Sequence, residues 1–361
     1  MKILHVITSL QIGGAEKLVA DMVPLLRKHG HKVDVCVFNG QDTPFMQKLN
    51  ECGCRVIRLS NNENYYHPIK ILKLWRVMRG YDIVHTHNTA PQLFVAIAAK
   101  LLCSVVLVTT EHNTSNRRRD WKWYPRWIDR WMYDQYQHVI CISKQAEDNL
   151  RTYIGNCRAH ISTIYNGIDV EAYHQVQPNI LLRDGSLRFV VVMVAGFRYQ
   201  KDHNTLIRAL SLLNSETFEL WLVGDGERRK ELEALVEYLG LQNCVKFWGL
   251  RTDIPEILHS ADVVVMSSHF EGLSLSNIEG MSVGKPFIAS DVDGLREVTK
   301  GYGILFPHED AEALATFIQK LHDDHSYYQR VADKCYERAR EFDISVMVRH
   351  YNELYLSLSH R

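Results

Sequence analysis

The sequence predicts an α/β protein with two doubly wound, Rossmann-like domains facing each other across a cleft. Short apolar runs alternate with helix-length amphipathic segments along the chain, as in parallel sheets covered by helices. This alternation restarts once, after Asn179. A chain of 361 residues is long enough for two domains, each with its own hydrophobic core. Together these observations favour two similar halves.

Each half contains a series of apolar runs that we predict as strands. In the first half they are ILHVIT, KVDVCVF, CRVIRL, DIVHTH, VVLVTT and HVICIS, and a helical pattern from Gly13 to His29 follows the first run. In the second half they are FVVVMVAG, FELWLVG, VKFWG, DVVVMSS, PFIAS and GILF. The boundary is expected within 170–186, where HQVQPNILLRDGS is polar and weakly periodic. We therefore predict an N-terminal domain at 1–178 and a C-terminal domain at 179–344.

Composition and charge indicate a globular protein without a nucleic-acid partner. Apolar residues make up 46% and charged residues 23% of the chain, and 42 basic residues balance 42 acidic ones. A general nucleic-acid binder would be basic, although a neutral total still permits a local basic patch. The eight cysteines are scattered without a CxxC pair, which favours reduced thiols in a cytosolic protein.

No targeting or membrane-spanning segment is evident in the sequence. The apolar run at residues 3–7 is shorter than the hydrophobic region of a signal peptide. The most lipid-like run, Leu93 to Val108, is interrupted by Lys100 and is shorter than the ~20 residues of a membrane helix. We therefore expect a cytoplasmic protein that is soluble or peripheral to the membrane.

The segment Ser267 to Asp291, SSHFEGLSLSNIEGMSVGKPFIASD, contains the strongest candidate site. Glu271 and Glu279 lie eight residues apart, and Ser276 with Glu279 has the S-x-x-E spacing of a capping box, which predicts a helix beginning near Ser276. A helix N-terminus suits an anion such as a phosphate. The two carboxylates could then reach hydroxyls of a sugar held there. In the alternative interpretation, Glu279 only closes its capping box and Glu271 is solvated.

This segment resembles the E-x7-E signature of the retaining glycosyltransferases of the GT-B fold in family 4, also called glycosyl transferases group 1. That signature reads E-G-x-P-x-x-x-x-E-A-x-A-x-G-x-P and continues into an apolar strand and an acidic residue. The matching positions are Glu271, Glu279, Gly284, Pro286 and Asp291. Ser274 stands in place of the proline, and Gly280 stands in place of the first alanine.

The resemblance implies a role for each part of this donor site. Glu271 would contact the sugar of a nucleotide-diphosphate sugar, and Glu279 would contact its ribose hydroxyls. The residues between them that would also bind the donor are Ser274, Leu275 and Ser276. Arg251 joins the donor site, because the family contacts the nucleotide base through the backbone from Arg251 to Ile254. The resemblance further implies that the last helix, 345–361, packs back on the N-terminal domain.

Gly13 and Gly14 lie where the first strand is predicted to turn into a helix. Glycine lets backbone N–H groups approach a phosphate without interference from a Cβ, although a Gly-Gly turn can also be purely structural. The pattern is not G-x-G-x-x-G, and the second strand ends at Asn39, which weakens an oxidoreductase interpretation. The loop resembles the GGAE loop of family 4. This implies that Gly13 and Gly14 bind the donor and that Glu16 lies on the acceptor side.

Histidines occur at the ends of two predicted strands, His85 and His87 in DIVHTH and His112 in TEHNTSN. Loops beyond the carboxyl ends of strands bind ligands in open α/β sheets, although such histidines can also be simply hydrogen-bonded. His-x-His could bind a metal, but no third ligand is evident in the sequence, so we predict no metal site. The resemblance implies that His112 is catalytic and points toward the donor sugar. It also implies that His85 and His87 build the acceptor side.

The stretch VMVAGFRYQKDHN carries the cations expected to hold the donor diphosphate. Family 4 uses an arginine and a lysine there, and two cations can neutralise charge on the leaving group without a metal. Lys201 matches the lysine, but Gly196 occupies the arginine position and Arg198 lies two residues further on. Either Arg198 replaces the arginine or donor turnover is impaired. Both cations could instead belong to a solvated loop.

The segment Arg117 to Tyr133, RRRDWKWYPRWIDRWMY, is rich in tryptophan and cations. Trp123, Trp127 and Trp131 lie at i, i+4 and i+8, on one helical stripe. The stripe predicts either a core-facing surface with a solvated basic face or a patch that meets an anionic membrane or a lipid-linked acceptor. Pro125 is expected in the first turn of this helix.

We therefore predict a retaining, metal-independent, hexosyl-type glycosyltransferase with a nucleotide-sugar donor, UDP being preferred over GDP. Its acceptor is expected to be a saccharide or lipid-linked saccharide of bacterial surface polysaccharide or glycolipid synthesis, at the inner face of the cytoplasmic membrane. No cofactor is expected. The alternatives are another GT-B nucleotide-sugar enzyme, such as an epimerase or a phosphorylase, and a nucleotide-sugar-binding protein with impaired catalysis.

Overall fold

A computed structural model describes residues 1–11, 13–61, 66–101, 105–112 and 126–359 of the chain. It divides the chain into two compact units. Met1–Gly167 and Ile344–Arg361 form the first unit, and Ile168–Asp343 forms the second. The last helix therefore belongs to the first unit, although it follows the second in sequence.

The first unit ends at Gly167, earlier than the boundary at residue 178 that the sequence predicts. Backbone hydrogen bonds hold the residues after Gly167 to the second unit. The N–H of Ile168 donates to the Phe342 carbonyl (3.1 Å), and the N–H of Val170 donates to Asp343 Oδ2 (3.2 Å). The polar composition of 174–186 marks a surface segment of the second unit and not the boundary.

The first unit is built on a seven-stranded parallel sheet in the order β3-β2-β1-β4-β5-β6-β7. Its strands are β1 (Lys2–Ile7), β2 (Lys32–Val37), β3 (Val56–Arg58), β4 (Ile83–His87), β5 (Val106–Glu111), β6 (His138–Cys141) and β7 (His160–Thr163). Its described helices are α1 (Gly14–Lys28), α2 (Pro44–Glu51), α3 (Ile69–Met78), α4 (Thr89–Ala99), α5 (Arg126–Tyr133), α6 (Lys144–Ile154) and α15 (Ile344–Ser359).

Strand β1 shows why this sheet is covered on both faces. Ile3 and Ile7 point into one hydrophobic cluster, which is completed by residues of α1, α2 and α15. Leu4 and Val6 point into a second cluster, which is completed by residues of α3, α4, α5 and α6. Alternate side chains of one apolar strand thus reach two cores, as expected for a doubly wound parallel sheet.

The second unit is built on a six-stranded parallel sheet in the order β10-β9-β8-β11-β12-β13. Its strands are β8 (Phe189–Val194), β9 (Phe218–Val223), β10 (Val245–Gly249), β11 (Val263–Met266), β12 (Phe287–Ser290) and β13 (Ile304–Phe306). Its helices are α7 (Val170–His174), α8 (His203–Ser211), α9 (Arg229–Tyr238), α10 (Ile254–Ser260), α11 (Leu275–Ser282), α12 (Asp293–Thr299), α13 (Ala311–Asp323) and α14 (His325–Glu341), and a 3-10 turn spans Ile180–Arg183.

The predicted class, two Rossmann-like α/β domains, is confirmed. In each sheet the order of strands reverses at one place, between β1 and β4 in the first unit and between β8 and β11 in the second. The carboxyl ends of strands at such a reversal form the usual ligand crevice of an open α/β sheet. Within the described ranges, every helix is too short or too polar to cross a membrane.

Candidate functional site

The central feature of the second unit is a buried ion pair at the strand reversal. Lys201 follows β8 and Glu271 follows β11, and the Lys201 Nζ lies 2.8 Å from Oε2 and 2.9 Å from Oε1 of Glu271. Gln200 Nε2 donates to the same two oxygens at 3.0 and 3.1 Å. The side chains of Lys201 and Glu271 are only 15% and 9% exposed. A cation and a carboxylate are thus held together where a ligand would enter, and Gln200 is a contributor that the sequence interpretation missed.

Backbone contacts keep the two loops that carry this pair together. The N–H of His269 donates to the Gln200 carbonyl (2.9 Å), and the N–H of Asp202 donates to the Ser267 carbonyl (3.0 Å). Because these bonds flank Lys201 and lie just before Glu271 in sequence, the position of the ion pair is set by the backbone as well as by charge. Such preorganisation is what a site needs to stabilise developing charge.

Helix α11 begins at Leu275, with Ser274 as its N-cap residue. The predicted capping box is therefore wrong, because Ser276 and Glu279 both lie inside the helix. The backbone of Ser274 is extended, and its carbonyl accepts from the Asn277 N–H at 3.2 Å, which is N-cap geometry. The Ser274 side chain makes no cap hydrogen bond with any residue of the described chain. The N-terminus of the helix is thus a potential anion site, with Glu279 in the second turn.

Gly280 departs from the family signature, and the packing of α11 explains this departure. A Cβ at Gly280 would lie 2.7 Å from Phe287 Cε2 and 2.8 Å from Val264 Cγ1. Both contacts are with buried side chains of the sheet, Phe287 on β12 and Val264 on β11. The bulk of Phe287 therefore takes the space of the alanine methyl group, and only glycine fits the helix at this position.

The Gly280→Ala variant is expected to be less stable than the wild type by about 1–2 kcal/mol. Overpacking costs about 1–3 kcal/mol, and the better helix propensity of alanine returns up to about 1 kcal/mol. Urea unfolding measures the difference. Addition of Phe287→Leu should recover part of the loss, because the two positions are in contact. Gly14→Ala is the control, since a Cβ there meets no atom within 4 Å; an equal loss in this control would contradict the packing explanation.

Arg198 lies beside the position that the sequence leaves without an arginine. The Arg198 Nε is 3.9 Å from the place where a Cβ at Gly196 would stand. The Arg198 N–H also donates to the Gly196 carbonyl (2.8 Å), which folds the chain back on itself. The guanidinium of the exposed Arg198 therefore lies beside the space that a side chain at position 196 would occupy.

Arg251, the third predicted cation of the second unit, is held by its own loop. Its guanidinium donates to Asp253 at 2.8 and 2.5 Å and lies 5.4 Å from the centre of the Trp248 ring. The Asp253 hydrogen bond raises the pKa of Arg251, so this side chain stays charged and engaged. A contact with a base through the backbone at 251–254 stays a prediction.

In the first unit, Glu16 folds back over the start of α1. A Cβ at Gly13 would lie 2.3 Å from Glu16 Oε2, so a side chain at position 13 would displace the carboxylate. Asn88, which follows β4 and has a left-handed φ of 68°, donates from Nδ2 to Glu16 Oε1 at 3.3 Å. A Cβ at Gly14 meets no atom within 4 Å, so the backbone there is open to a ligand. The two glycines thus differ, the first making room for Glu16 and the second leaving open space.

The predicted histidines of the first unit belong to a chain of imidazoles. His112 Nε2 lies 2.9 Å from His87 Nδ1, and His87 Nε2 lies 2.9 Å from His5 Nδ1. His85 bonds Tyr355 of α15 through Nδ1 (2.5 Å) and Thr110 through Nε2 (2.8 Å). His5 was not predicted from the sequence, where its signal is a histidine in the otherwise apolar strand ILHVIT.

Burial changes the roles predicted for His85 and His87. Both side chains are fully buried, so neither can contact an acceptor directly. His87 hydrogen-bonds His112 instead, and His85 stacks on His87. His5 supplies the third histidine that the sequence did not reveal, since ligand atoms of His5, His85 and His87 lie within 4.8 Å of one another. Both nitrogens of His85 and of His87 are already hydrogen-bonded to the protein. We therefore interpret this cluster as a hydrogen-bond network and not as a metal centre.

The imidazoles of this chain are neutral, so each carries one proton and each hydrogen bond has one donor. Burial lowers the pKa of His5 to about 3 and the pKa of His87 well below its usual value. Burial also lowers the pKa of His112 to about 4, although the nearby Glu111 carboxylate acts to raise it. His5 Nε2 has no partner among the described residues, and a buried bare nitrogen costs less than a buried N–H without an acceptor. His5 therefore donates to His87 and His87 to His112. This leaves His112 with its proton on Nδ1, which makes that nitrogen a hydrogen-bond donor.

Helix α5 shows only part of the predicted tryptophan stripe. Trp127 is 70% exposed, whereas Trp131 is partly buried against the second cluster of the first unit. Trp123 and the basic run at 117–125 lie outside the described residues. The described part of the stripe is thus divided between core and surface.

The chain is a glycosyltransferase of the GT-B class. It has two parallel Rossmann-like sheets, and the strand reversal of the second carries a buried lysine–glutamate pair and a helix N-terminus. The chain belongs to glycosyltransferase family 4, the glycosyl transferases group 1. Residues 12–172 match the family model described as Glycosyltransferase Family 4, and residues 188–324 match the one described as Glycosyl transferases group 1.

Similar proteins support this assignment over almost the whole chain. The lipopolysaccharide core biosynthesis glycosyltransferase LpsD of Rhizobium meliloti is 36% identical over 347 residues, covering 92% of this chain and 91% of that protein. The UDP-Gal:alpha-D-GlcNAc-diphosphoundecaprenol alpha-1,3-galactosyltransferase of Escherichia coli is 25% identical, covering 90% and 88%. The crystal structure of Anabaena HepE in complex with UDP is 25% identical with a TM-score of 0.85, covering 99% of this chain and 100% of that one.

Proposed function

We propose that this glycosyltransferase transfers a sugar from a nucleotide-diphosphate sugar to a saccharide or lipid-linked saccharide, with retention of configuration and without a metal ion. The observation that carries this proposal is the Lys201–Glu271 pair with Gln200, next to the N-terminus of α11. The pair offers a cation for phosphate oxygens and a carboxylate for sugar hydroxyls. The helix N-terminus offers N–H groups for the diphosphate.

The proposed step forms one bond and breaks one bond on the same face of the sugar. The acceptor oxygen bonds to the anomeric carbon, while the bond from that carbon to the phosphate oxygen breaks and the nucleoside diphosphate leaves with its electron pair. The acceptor proton passes to the leaving phosphate. Glu271 does not serve as the nucleophile in this proposal, because both its oxygens accept hydrogen bonds from Lys201 and Gln200.

Charge on the departing diphosphate is neutralised by side chains in this proposal. Lys201 supplies one cation, and Arg198 supplies the second, which supports turnover despite glycine at position 196. His112 donates from Nδ1 to a sugar oxygen, and Glu16 keeps its role on the acceptor side. A protein with impaired catalysis is less well supported, because Arg198 lies beside Gly196.

The relatives support the proposed donor and acceptor classes. HepE has been crystallised with UDP, and the E. coli relative is named for UDP-galactose and a diphosphoundecaprenol-linked acceptor. LpsD is named for lipopolysaccharide core biosynthesis. We therefore place UDP before GDP and propose a role in bacterial surface polysaccharide or glycolipid synthesis. The exposed Trp127, Arg126 and Arg130 of α5 would contact the cytoplasmic membrane face.

A thermal-shift experiment in EDTA tests the donor site. UDP is expected to raise the melting temperature more than GDP or ADP, because a ligand that binds only the folded state stabilises it by mass action. Glu279→Ala should lose most of this rise. Glu271→Ala should keep most of the rise with UDP but lower the rate of UDP release from the UDP-sugar on transfer.

Glu237→Ala, at an exposed position of α9, is the control for both measurements. No shift with any nucleotide would contradict the proposed donor site. Conversion of the donor to a second nucleotide sugar without an acceptor would instead identify an epimerase, and release of a sugar 1-phosphate would identify a phosphorylase. Binding without transfer to any saccharide or lipid-linked acceptor would favour the impaired protein.

A further inference from the structure

Two histidines and a glutamate meet at the carboxyl end of the second sheet. His269 follows β11, and His308 and Glu309 follow β13. His269 Nδ1 lies 3.0 Å from His308 Nε2 and 3.2 Å from Glu309 Oε1, and the latter two atoms are 3.9 Å apart. Ligand atoms at 2.0–2.1 Å from a tetrahedral zinc ion are about 3.3 Å apart. The three atoms therefore already have the separation of three ligands of one ion.

The opposite nitrogen of His269 faces a fixed carboxylate. His269 Nε2 lies 3.9 Å from Asp202 Oδ1. Asp202 is buried and accepts hydrogen bonds from the Thr205 N–H (3.1 Å) and hydroxyl (2.5 Å) at the start of α8, so it cannot rotate freely. The ring of Tyr199 stacks on His269, with 4.7 Å between the ring centres. A histidine that binds a metal through one nitrogen is commonly oriented by a carboxylate at the other, and Asp202 lies on that side of His269, beyond hydrogen-bond distance.

The position is open to solvent, in contrast to the imidazole chain of the first unit. The side chains of His269, His308 and Glu309 are 14%, 36% and 60% exposed. An ion could therefore reach the three ligand atoms without opening the core. An ion would replace the hydrogen bond between His269 and His308, because that bond uses the two nitrogens that would bind the ion.

Glu309 adopts a backbone conformation that is unfavourable for glutamate. Its φ is +63°, in the left-handed region where a Cβ is strained and where glycine or asparagine is usual. Glycine would relieve this strain but would supply no carboxylate. Strain of this kind is often found at ligand sites.

We infer that His269, His308 and Glu309 bind a divalent transition-metal ion, for which Zn²⁺ is the best match to two imidazoles and one carboxylate. Water supplies the fourth ligand. The ion joins the loop after β11 to the loop after β13, and the His269 N–H ties this site to the loop after β8 through the Gln200 carbonyl. Two of these loops carry Lys201 and Glu271, but the ion takes no part in the transfer step. The inference does not depend on the proposed donor or acceptor.

Cobalt titration of the metal-stripped full-length chain tests the site. The wild type is expected to bind one equivalent of Co²⁺, with the visible absorption of four-coordinate Co²⁺, and to lose this absorption when Zn²⁺ is added. His308→Ala and Glu309→Gln should each weaken Co²⁺ binding at least about 10-fold, because each removes one of three protein ligands. His322→Ala is the matched control. It removes a histidine of the same unit that is paired with one carboxylate, Asp323, at 2.7 Å, and it should leave Co²⁺ binding unchanged.

A stability measurement separates loss of metal from failure to fold. In EDTA, Glu309→Gly should melt at a higher temperature than the wild type, because the strain is relieved. With Zn²⁺ the wild type should gain stability by mass action, whereas Glu309→Gly should not. The inference is overturned if the wild type shows neither the absorption nor the gain with Zn²⁺. It is also overturned if His308→Ala retains both, or if Co²⁺ binding is lost in His87→Gln and not in His308→Ala.

Discussion

Lys201→Met is expected to lower kcat/KM at least about 100-fold, because removal of one positioned donor to developing charge costs a factor of about 10²–10³. The substitution keeps an unbranched side chain, one heavy atom shorter, and removes the cation that contacts Glu271. The measurement is UDP release from the nucleotide sugar selected by thermal shift, with acceptor present. Turnover within about 3-fold of the wild type would place the reaction elsewhere.

The same variant is expected to be less stable by about 2–3 kcal/mol. Breaking a buried ion pair costs about 3–5 kcal/mol, and the loss is smaller here because Gln200 still donates to both oxygens of Glu271. The double variant Lys201→Met/Glu271→Gln should recover much of this stability and none of the activity, since the unpaired charge is gone but the cation is still absent. Urea unfolding of both variants separates the two effects.

Lys246→Met is the matched control for this experiment. Lys246 pairs with the buried Glu219 at 2.9 Å in the same unit, away from the loops that follow β8 and β11. It should lose stability, by less than Lys201→Met because Lys246 is 39% exposed and Trp221 still donates to Glu219, and it should keep its turnover. Equal losses of activity in Lys201→Met and Lys246→Met would show that destabilisation, and not the site, explains the effect.

Acidification from pH 6.5 to pH 5 is expected to destabilise the protein by several kcal/mol. Buried histidines carry this effect, because burial lowers the pKa of His5 to about 3 and the pKa of His112, His138 and His203 to about 4. In the unfolded chain these groups take up protons near pH 6.5, whereas the folded chain binds none until the pH approaches 4. Stability is therefore complete above pH 6.5 and is lost as the pH falls toward the folded pKa.

The expected size follows from the fully buried His203. With pKa values of about 4 folded and 6.5 unfolded, it contributes up to about 2 kcal/mol of lost stability at pH 5. A few such groups approach the total stability of an ordinary domain, about 5–15 kcal/mol. Melting temperatures measured at pH 7.5, 6.5, 5.5 and 5 check this. His203→Gln should flatten the profile, and His325→Ala, at an exposed position, should not. A profile without a fall below pH 6.5 would contradict the burial of the histidines.

The sequence interpretation of the active site depended on short, local patterns, and these were reliable where the structure is local too. The alternating apolar runs predicted both parallel sheets, because a strand buried on two faces must be apolar along its length. Glu271 and Lys201 were found from neighbouring residues in their own loops. The start of α11 at Leu275 agrees with the prediction to within one residue, but its cap residue is Ser274 and not Ser276. Both serines are acceptable cap residues, and the path of the chain chooses between them.

The sequence by itself determined the fold class, the family and the identity of the principal donor-site candidates. Only the tertiary structure decided which distant residues meet: His5 lies beside His85 because β1 and β4 are neighbours in the sheet, and His269 meets Glu309 through the loops after β11 and β13. It also decided that Gly280 accommodates Phe287 and that the first unit ends at Gly167. The physical reason is that periodicity reports which face of an element is buried, whereas the order of strands, which brings remote side chains together, is set by packing of the whole unit.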